Sequence, residues 1–299
     1  IYSKRLREML DFSEELVIEV GGKVDSEIPS RDLENDRILV TMCTYKGGFD
    51  NVGKALESLL DQTVQVDEIR LKVNDEREPP GIPDDPRIVL IVGGEDMADN
   101  GKFTEIGDHT GYVITTDDDI DYPRDYVEKM LGFVDAYGRD AIIGVHGAVL
   151  PHGPTLTRWS HYSEMRRTLV FEQEMASFSP VNVIGTGTMA FHTSLGLPKI
   201  TNQDYRRMVD LHIAVWAQKN GIPMYTCPRK RDWLKELKQD DPGRIWSIVS
   251  ESREMQNKML EVLGRRKKWT VFHPPSRPII GGAGVFGIFS EWENRELPP

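Results

Sequence analysis

Two hydrophobic periods alternate along this chain, and their order predicts its architecture. Leu6, Met9, Leu10, Leu16 and Val17 recur at roughly helical spacing among Lys, Arg and Glu, which predicts an amphipathic helix ended by Gly21-Gly22. The polar stretch from Ser26 to Asp36, with Pro29, reads as a linker, so residues 1–36 form an expected helical arm. A clean apolar run from Arg37 to Tyr45 predicts a strand that breaks at Lys46-Gly47-Gly48. Asn51 is placed to cap a helix whose stripe is Val52, Ala55, Leu56, Leu59 and Leu60. Further strands are predicted over 68–73, closing on Asn74-Asp75, and over 87–92, ahead of Gly93-Gly94. Asp99-Asn100-Gly101-Lys102 opens a short helix, and Tyr112–Ile114 begins a buried strand that runs into Thr115-Thr116-Asp117-Asp118-Asp119.

The second half repeats these signals less regularly. Tyr126, Val127, Met130, Leu131 and Val134 form a helical stripe after Pro123. Ala141–Val149 and Val181–His192 each read as one strand, the latter carrying Gly185 and Gly187 where backbone could approach a ligand closely. Between them, Pro151–Ser160 is a turn-rich loop with His152, Arg158 and Trp159. A helix begins near Asp210, turns Ile213, Ala214, Trp216 and Ala217 inward, and ends at Asn220-Gly221. Met224–Pro228 is a last short strand, and Ile248–Leu263 a last helix. Strands alternating with helices predict a doubly wound α/β sheet.

Composition narrows the partners. With 299 residues and 39% hydrophobic content the chain can bury a sizeable core. Its 37 Lys and Arg against 48 Asp and Glu give a net charge of -11, which argues against nucleic acid as a partner. Cys43 and Cys227 lack metal-type spacing and suit a reducing compartment. No apolar run is long enough for a bilayer span, and the amino terminus has no secretory pattern, so the expectation is an intracellular globular protein. The first residue is Ile1 rather than Met, which gives the expectation of one domain of a longer polypeptide.

The candidate chemistry gathers at Asp117, Asp118 and Asp119. Three carboxylates at a strand tip raise one another's pKa, and a divalent cation is the usual remedy because hard cations take carboxylate oxygens. The competing account is a solvated acidic turn ahead of a helix whose first turn favours Asp. Ligands in open α/β sheets do collect at such C-terminal strand edges.

The ordered set Ile38–Tyr45, Ala55-Leu-Glu-Ser-Leu-Leu-Asp-Gln-Thr63, Val73-Asn-Asp75 and Thr116-Asp-Asp-Asp-Ile-Asp-Tyr-Pro123 resembles glycosyltransferase family 2, over about residues 37–235. The resemblance implies an α/β fold of the GT-A type, Rossmann-like, with a mixed and mostly parallel sheet. It divides the chain into the arm 1–36, a transferase domain 37–264 and a C-terminal extension 265–299. Residues 37–123 would bind the nucleotide-sugar and 124–264 the acceptor. The implied activity is metal-dependent, inverting hexosyl transfer from a UDP-sugar to a hydroxyl of a glycan or lipid-linked glycan, as in bacterial surface polysaccharide synthesis. By the same resemblance Thr44 and Tyr45 line the base pocket, Asp75 contacts uracil or ribose, and Lys102 lies near the donor phosphate. Mn²⁺ or Mg²⁺ would be held among Asp117, Asp118 and Asp119, with Asp117 also facing the donor and His273 as a further ligand. Asp210 matches the general base, although Val209 precedes it where the family has an acid; its competing reading is a helix N-cap.

Arg229–Asp241 resembles the segment that closes over the site in that family. Arg265-Arg-Lys-Lys268 suits a helix C-terminus; its sharper reading is a patch for a lipid diphosphate or the inner membrane face, in a protein otherwise cytoplasmic. Competing functions are a non-catalytic glycan-binding module on the same fold and a haloacid-dehalogenase-type phosphohydrolase. The phosphohydrolase motif wants Thr or Val where Asp121 stands. A nucleotidyltransferase would need a Gly-rich basic loop that Lys46-Gly47-Gly48 replaces poorly.

Overall fold

The computed structural model describes residues 36–150, 161–198, 200, 206–237, 245–264 and 269. The arm over 1–35, the loop 151–160 and His273 lie outside the described residues. The main sheet is built from β1 (Arg37–Thr44), β2 (Glu68–Val73), β3 (Ile88–Val92) and β4 (Gly111–Thr116), then shorter strands of the second half. These four pair in parallel, in spatial order β3-β2-β1-β4. A two-residue strand β5 (Ile120–Asp121) follows the acidic turn. Next come β6 (Ile142–Gly144), β7 (Gly147–Val149), β8 (Arg167–Leu169), β9 (Ser179–Pro180), β10 (Val183–Ile184), β11 (Thr188–His192), β12 (Met224–Thr226) and β13 (Lys235–Glu236). β11 runs antiparallel beside β4, and β6, β12 and β9 continue the sheet beyond it, so the eight-stranded sheet is mixed and mostly parallel.

Strand period sorts the side chains into two cores. On one face Ile38, Val40 and Met42 of β1 and Tyr112 and Ile114 of β4 meet α1 (Phe49–Leu60). The helix buries Val52, Ala55, Leu56 and Leu59, the predicted stripe. Removing Leu56 or Leu59, both fully buried, would cost about 2–5 kcal/mol each. On the other face Val113, Met189 and Phe191 pack with the helix Val209–Asn220. The short α2 (Gly101–Thr104) leads into β4, and α3 (Tyr126–Ala136) adds Tyr126, Met130 and Phe133 to the first core. After α4 (Tyr162–Met165) come α5 (Val209–Asn220), α6 (Ile245–Glu251) and α7 (Arg253–Gly264). Among the described residues no helix is long and apolar enough to cross a membrane.

Several local expectations are corrected. Asn51 does not cap α1: the helix begins at Phe49 behind Gly48, and Asn51 is buried within its first turn. The run 141–149 is two strands in different sheets, β6 in the main sheet and β7 in a three-stranded sheet ordered β10-β7-β8. The run 181–192 divides the same way, β10 going to the small sheet and β11 to the main one. The two crossings meet. Gly185 donates its N–H to the His146 carbonyl at 2.9 Å, and Thr188 Oγ1 accepts from the Val145 and His146 amides. Both runs are buried along almost their whole length, polar positions included, which hides a sheet switch from any periodicity argument. The last helix breaks at Ser252 into α6 and α7. Asp36, read as linker, is buried and bonded to Arg139.

Candidate functional site

The edge where β1, β2 and β4 end carries most of the residues singled out from the sequence. β4 closes at Thr116, so Asp117, Asp118 and Asp119 stand at its C-terminal tip, one strand away from Thr44 at the end of β1. Asp118 is buried and its Oδ2 accepts the Thr44 hydroxyl at 2.5 Å. Burial pushes its carboxyl up to about 7; the Thr44 bond opposes the rise, and the charges of Asp119 and Asp117 add to it. Asp117 is turned the other way, its side chain 42% exposed and paired with the buried ammonium of Lys102. Burial works against the charge on Lys102, but the Asp117 carboxylate, with help from Asp210, holds its pKa above the ordinary lysine value.

The acidic turn is held from behind by the signature pieces. Tyr122, fully buried, accepts the Asp117 N–H on its phenol oxygen at 2.8 Å and donates to the Gly187 carbonyl at 2.9 Å. Ser58 Oγ accepts the Tyr122 N–H. Gln62 closes the same corner, donating to the Ser58 and Pro123 carbonyls and accepting from the Val127 amide. The Ser-Leu-Leu-Asp-Gln-Thr run therefore braces the Asp-Tyr-Pro turn by direct bonds across more than 60 positions of chain.

Two glycines make room for the carboxylates. A Cβ on Gly48 would land on the Asp118 carboxylate, and one on Gly187 on that of Asp117. Gly187 was expected to allow a close approach, and the group that approaches is this acid. Its neighbour Thr186 binds the other candidate. Asp210 Oδ1 accepts both the Thr186 amide at 3.0 Å and its hydroxyl at 2.7 Å. Adjacent residues of one loop thus touch Asp117 and Asp210, while Lys102 interacts with both acids. Burial raises the Asp210 pKa, opposed by the Thr186 bonds and by Lys102.

Asp210 does not cap its helix. α5 starts at Val209 with no side-chain cap from Met208, and Gly221 ends it in the left-handed conformation at φ 70°, as the Asn220-Gly221 pair predicts. The capping oxygens come from Asp99, which accepts the Arg207 amide at 2.8 Å and the Val209 amide at 3.1 Å. Burial raises the Asp99 carboxyl to about 6.

The remaining predicted residues are more peripheral. Tyr45, half-buried, precedes the turn Lys46–Gly48. Asp75 follows the end of β2 and accepts the Arg77 amide at 3.0 Å in a local turn. Part of the segment expected to cover the site is pinned. Arg229 is buried against the carbonyls of Val170, Phe171 and Cys227, and Lys235–Glu236 pairs with Ile120–Asp121 beside the acidic turn. Asp99, Tyr122, Thr186 and Gly48 were missed as site residues. The position of Thr186 between two glycines was a usable signal, and Tyr122 stood inside the quoted Asp-Tyr-Pro run, five positions from the Asp117 amide it binds; Asp99 and Gly48 act across long stretches of chain and leave no local pattern. His146, beside Gly185, is held neutral by burial and nearby arginines, which lower its pKa to about 4.

The arrangement offers a strand edge with an excess of acid, the buried ammonium of Lys102, and in Asp210 a carboxylate of raised basicity across a loop from it. The chain matches no protein-family model and no curated protein.

Proposed function

We propose that this protein is an inverting glycosyltransferase of the GT-A type that moves a sugar from a UDP-sugar to a hydroxyl of a glycan or lipid-linked glycan. The reading rests on one observation above others: Asp117, Lys102 and Asp210 gather around the Thr186-Gly187 pair at the tip of β4. Such chemistry needs a base on one side of the anomeric carbon and diphosphate-stabilising groups on the other. Asp210, with its pKa raised and its orientation set by Thr186, would accept the proton of the acceptor hydroxyl as that oxygen attacks. Lys102, charged and buried, would face the departing diphosphate. Thr44, Tyr45 and Asp75 border the ends of β1 and β2, where the uracil and ribose would lie.

The residues fit Mn²⁺ or Mg²⁺ in the manner of a phosphate-bound cation. Among the described residues no three His, Cys, Asp or Glu side chains form a metal cage by themselves. Mg²⁺-type sites, however, draw on one or two carboxylates and complete the shell with phosphate and water. The half-exposed Asp117, with Asp119 two positions on, is such a donor set, whereas Asp118 is committed to Thr44. The cation, when bound, would supply Lewis-acid stabilisation of the leaving diphosphate. Transfer is proposed on the cytoplasmic side, with the transferase domain at 37–264 and its flanks meeting other domains or the inner membrane face.

The deciding experiment incubates the protein with a panel of UDP-sugars, with Mn²⁺ or with EDTA, and measures UDP release. Metal-dependent release from at least one donor is expected. Binding of UDP with no turnover on any donor or acceptor would favour a glycan-binding module, and phosphate release from a phosphomonoester a phosphohydrolase.

A further inference from the structure

The loop after β3 does more than carry Lys102 toward the acidic edge. Within four residues it places Asp99 on the N-terminus of α5 and Lys102 on Asp117. α5 needs outside help at that end, because Met208 offers no side-chain cap and the first amides of any helix lack intrahelical acceptors. Asp99 supplies both oxygens, one to Arg207 and one to Val209, from more than 100 positions away. Arg207 sits at φ 63°, in the left-handed region that costs a non-glycine residue energy, and its amide is one of the two that Asp99 holds. The next residue of the helix after Val209 is Asp210.

Asp99 is itself hung from the donor end of the sheet. Asn74, adjacent to Asp75, donates from Nδ2 to the Ala98 carbonyl at 3.1 Å and accepts the Met97 amide on Oδ1 at 3.1 Å. Asp96 accepts the Ala98 amide at 2.9 Å and pairs with Arg206. A continuous set of bonds therefore runs from the end of β2, through residues 96–99, to the first turn of α5. Thr186 holds the Asp210 carboxylate itself, while Asp99 holds the backbone that precedes it.

On the transferase reading above, we infer that Asp99 is the positioning residue for the general base: it fixes the start of α5, and hence Asp210, relative to the donor-binding end of the sheet. Asp99 touches neither donor nor acceptor in this role. A displacement of about 1 Å in a catalytic group can cost about 100-fold in rate, so loss of the anchor should appear in kcat and not in donor recognition.

The test compares wild type, Asp99→Ala and Asp99→Asn by steady-state transfer with the UDP-sugar found active, and by hydrogen exchange at the Arg207 and Val209 amides. The alanine variant removes both acceptors; the asparagine variant keeps one oxygen and remains informative if alanine fails to fold. Expected are a fall in kcat of about 10- to 100-fold for alanine, a smaller fall for asparagine, donor KM within about two-fold, and faster exchange at both amides. Unchanged kcat in both variants overturns the inference, as does a donor KM that rises as much as kcat falls, or unaltered protection of the two amides. A wild-type protein that transfers no sugar overturns the proposed function itself; a wild type that transfers while both variants keep its kcat overturns this inference alone.

Discussion

β4 and β11 run side by side, and the two ends of that pair hold polar clusters of opposite character. At the start of β4, Asp36 is bonded by both terminal nitrogens of Arg139 at 3.0 and 2.8 Å and approached by His192 at 3.3 Å. The same guanidinium reaches Asp135 at 3.1 Å and lies over the Tyr112 ring, whose hydroxyl also donates to Asp135. Every acid there has a matching cation or donor, and the planar fork of arginine suits that task. At the far end, Asp117, Asp118, Asp99 and Asp210 share the buried Lys102. The carboxyls of Asp99, Asp118 and Asp210 are pushed upward by burial and by neighbouring carboxylates, and the hydroxyls of Thr44 and Thr186 bond two of them where a cation could stand. One end spends its polar groups on closing the fold. The other keeps them under-compensated, which is how local rules are broken at sites that handle ligands.

The largest expected effect tests the open end. Asp210→Asn should keep donor binding and lower kcat by about 10²–10⁴-fold, the usual worth of a positioned base; single-turnover assays and UDP titrations separate the two. Wild-type transfer by this variant would remove Asp210 as the base. At the closed end, Arg139→Ala leaves Asp36 buried with its main partner gone. A loss on the order of 2 kcal/mol is expected, discounted from fully buried pairs because Arg139 is partly exposed. Denaturant melts measure it, and activity at low temperature should survive. If activity vanished while stability held, the division between the two ends would be mistaken.

Gly187→Ala sharpens the contrast, since its methyl would occupy the place of the Asp117 carboxylate. Overpacking of this kind costs about 1–3 kcal/mol, and here the larger symptom should be weakened metal-dependent UDP binding, read by calorimetry with and without Mn²⁺. The smallest effect is a pH dependence. Asp99 has its carboxyl raised to about 6 from the ordinary 3.8, so between these values the folded protein holds a proton that the unfolded chain has released. Wild-type stability therefore declines as pH rises through that window, by roughly 1 kcal/mol after allowance for its partial exposure, and levels off above it. Asp99→Asn lacks that decline, so its deficit relative to wild type should shrink from pH 4 to pH 6 in thermal melts. A constant deficit would mean that Asp99 is not desolvated in solution.

The sequence by itself determined the elements whose signals are local. Apolar runs and period-3.6 patterns located β1, β2, α1 and α5 to within a few residues, because each pattern is carried by neighbouring positions. Crowded carboxylates after a buried run mark the candidate edge in the sequence itself. Tertiary structure alone decided the partners. Whether Asp118 turns to Thr44 or outward, whether Asp210 caps its own helix or is held by Thr186, and whether Asp36 is linker or core all depend on residues from 24 to more than 100 positions away. The same holds for the paired sheet crossings at His146 and Gly185, where both runs are buried along almost their whole length and the pattern carries no sign of the switch. Backbone geometry propagates along the chain and is written in neighbouring residues; charge compensation is set by proximity in space, which only the folded chain defines.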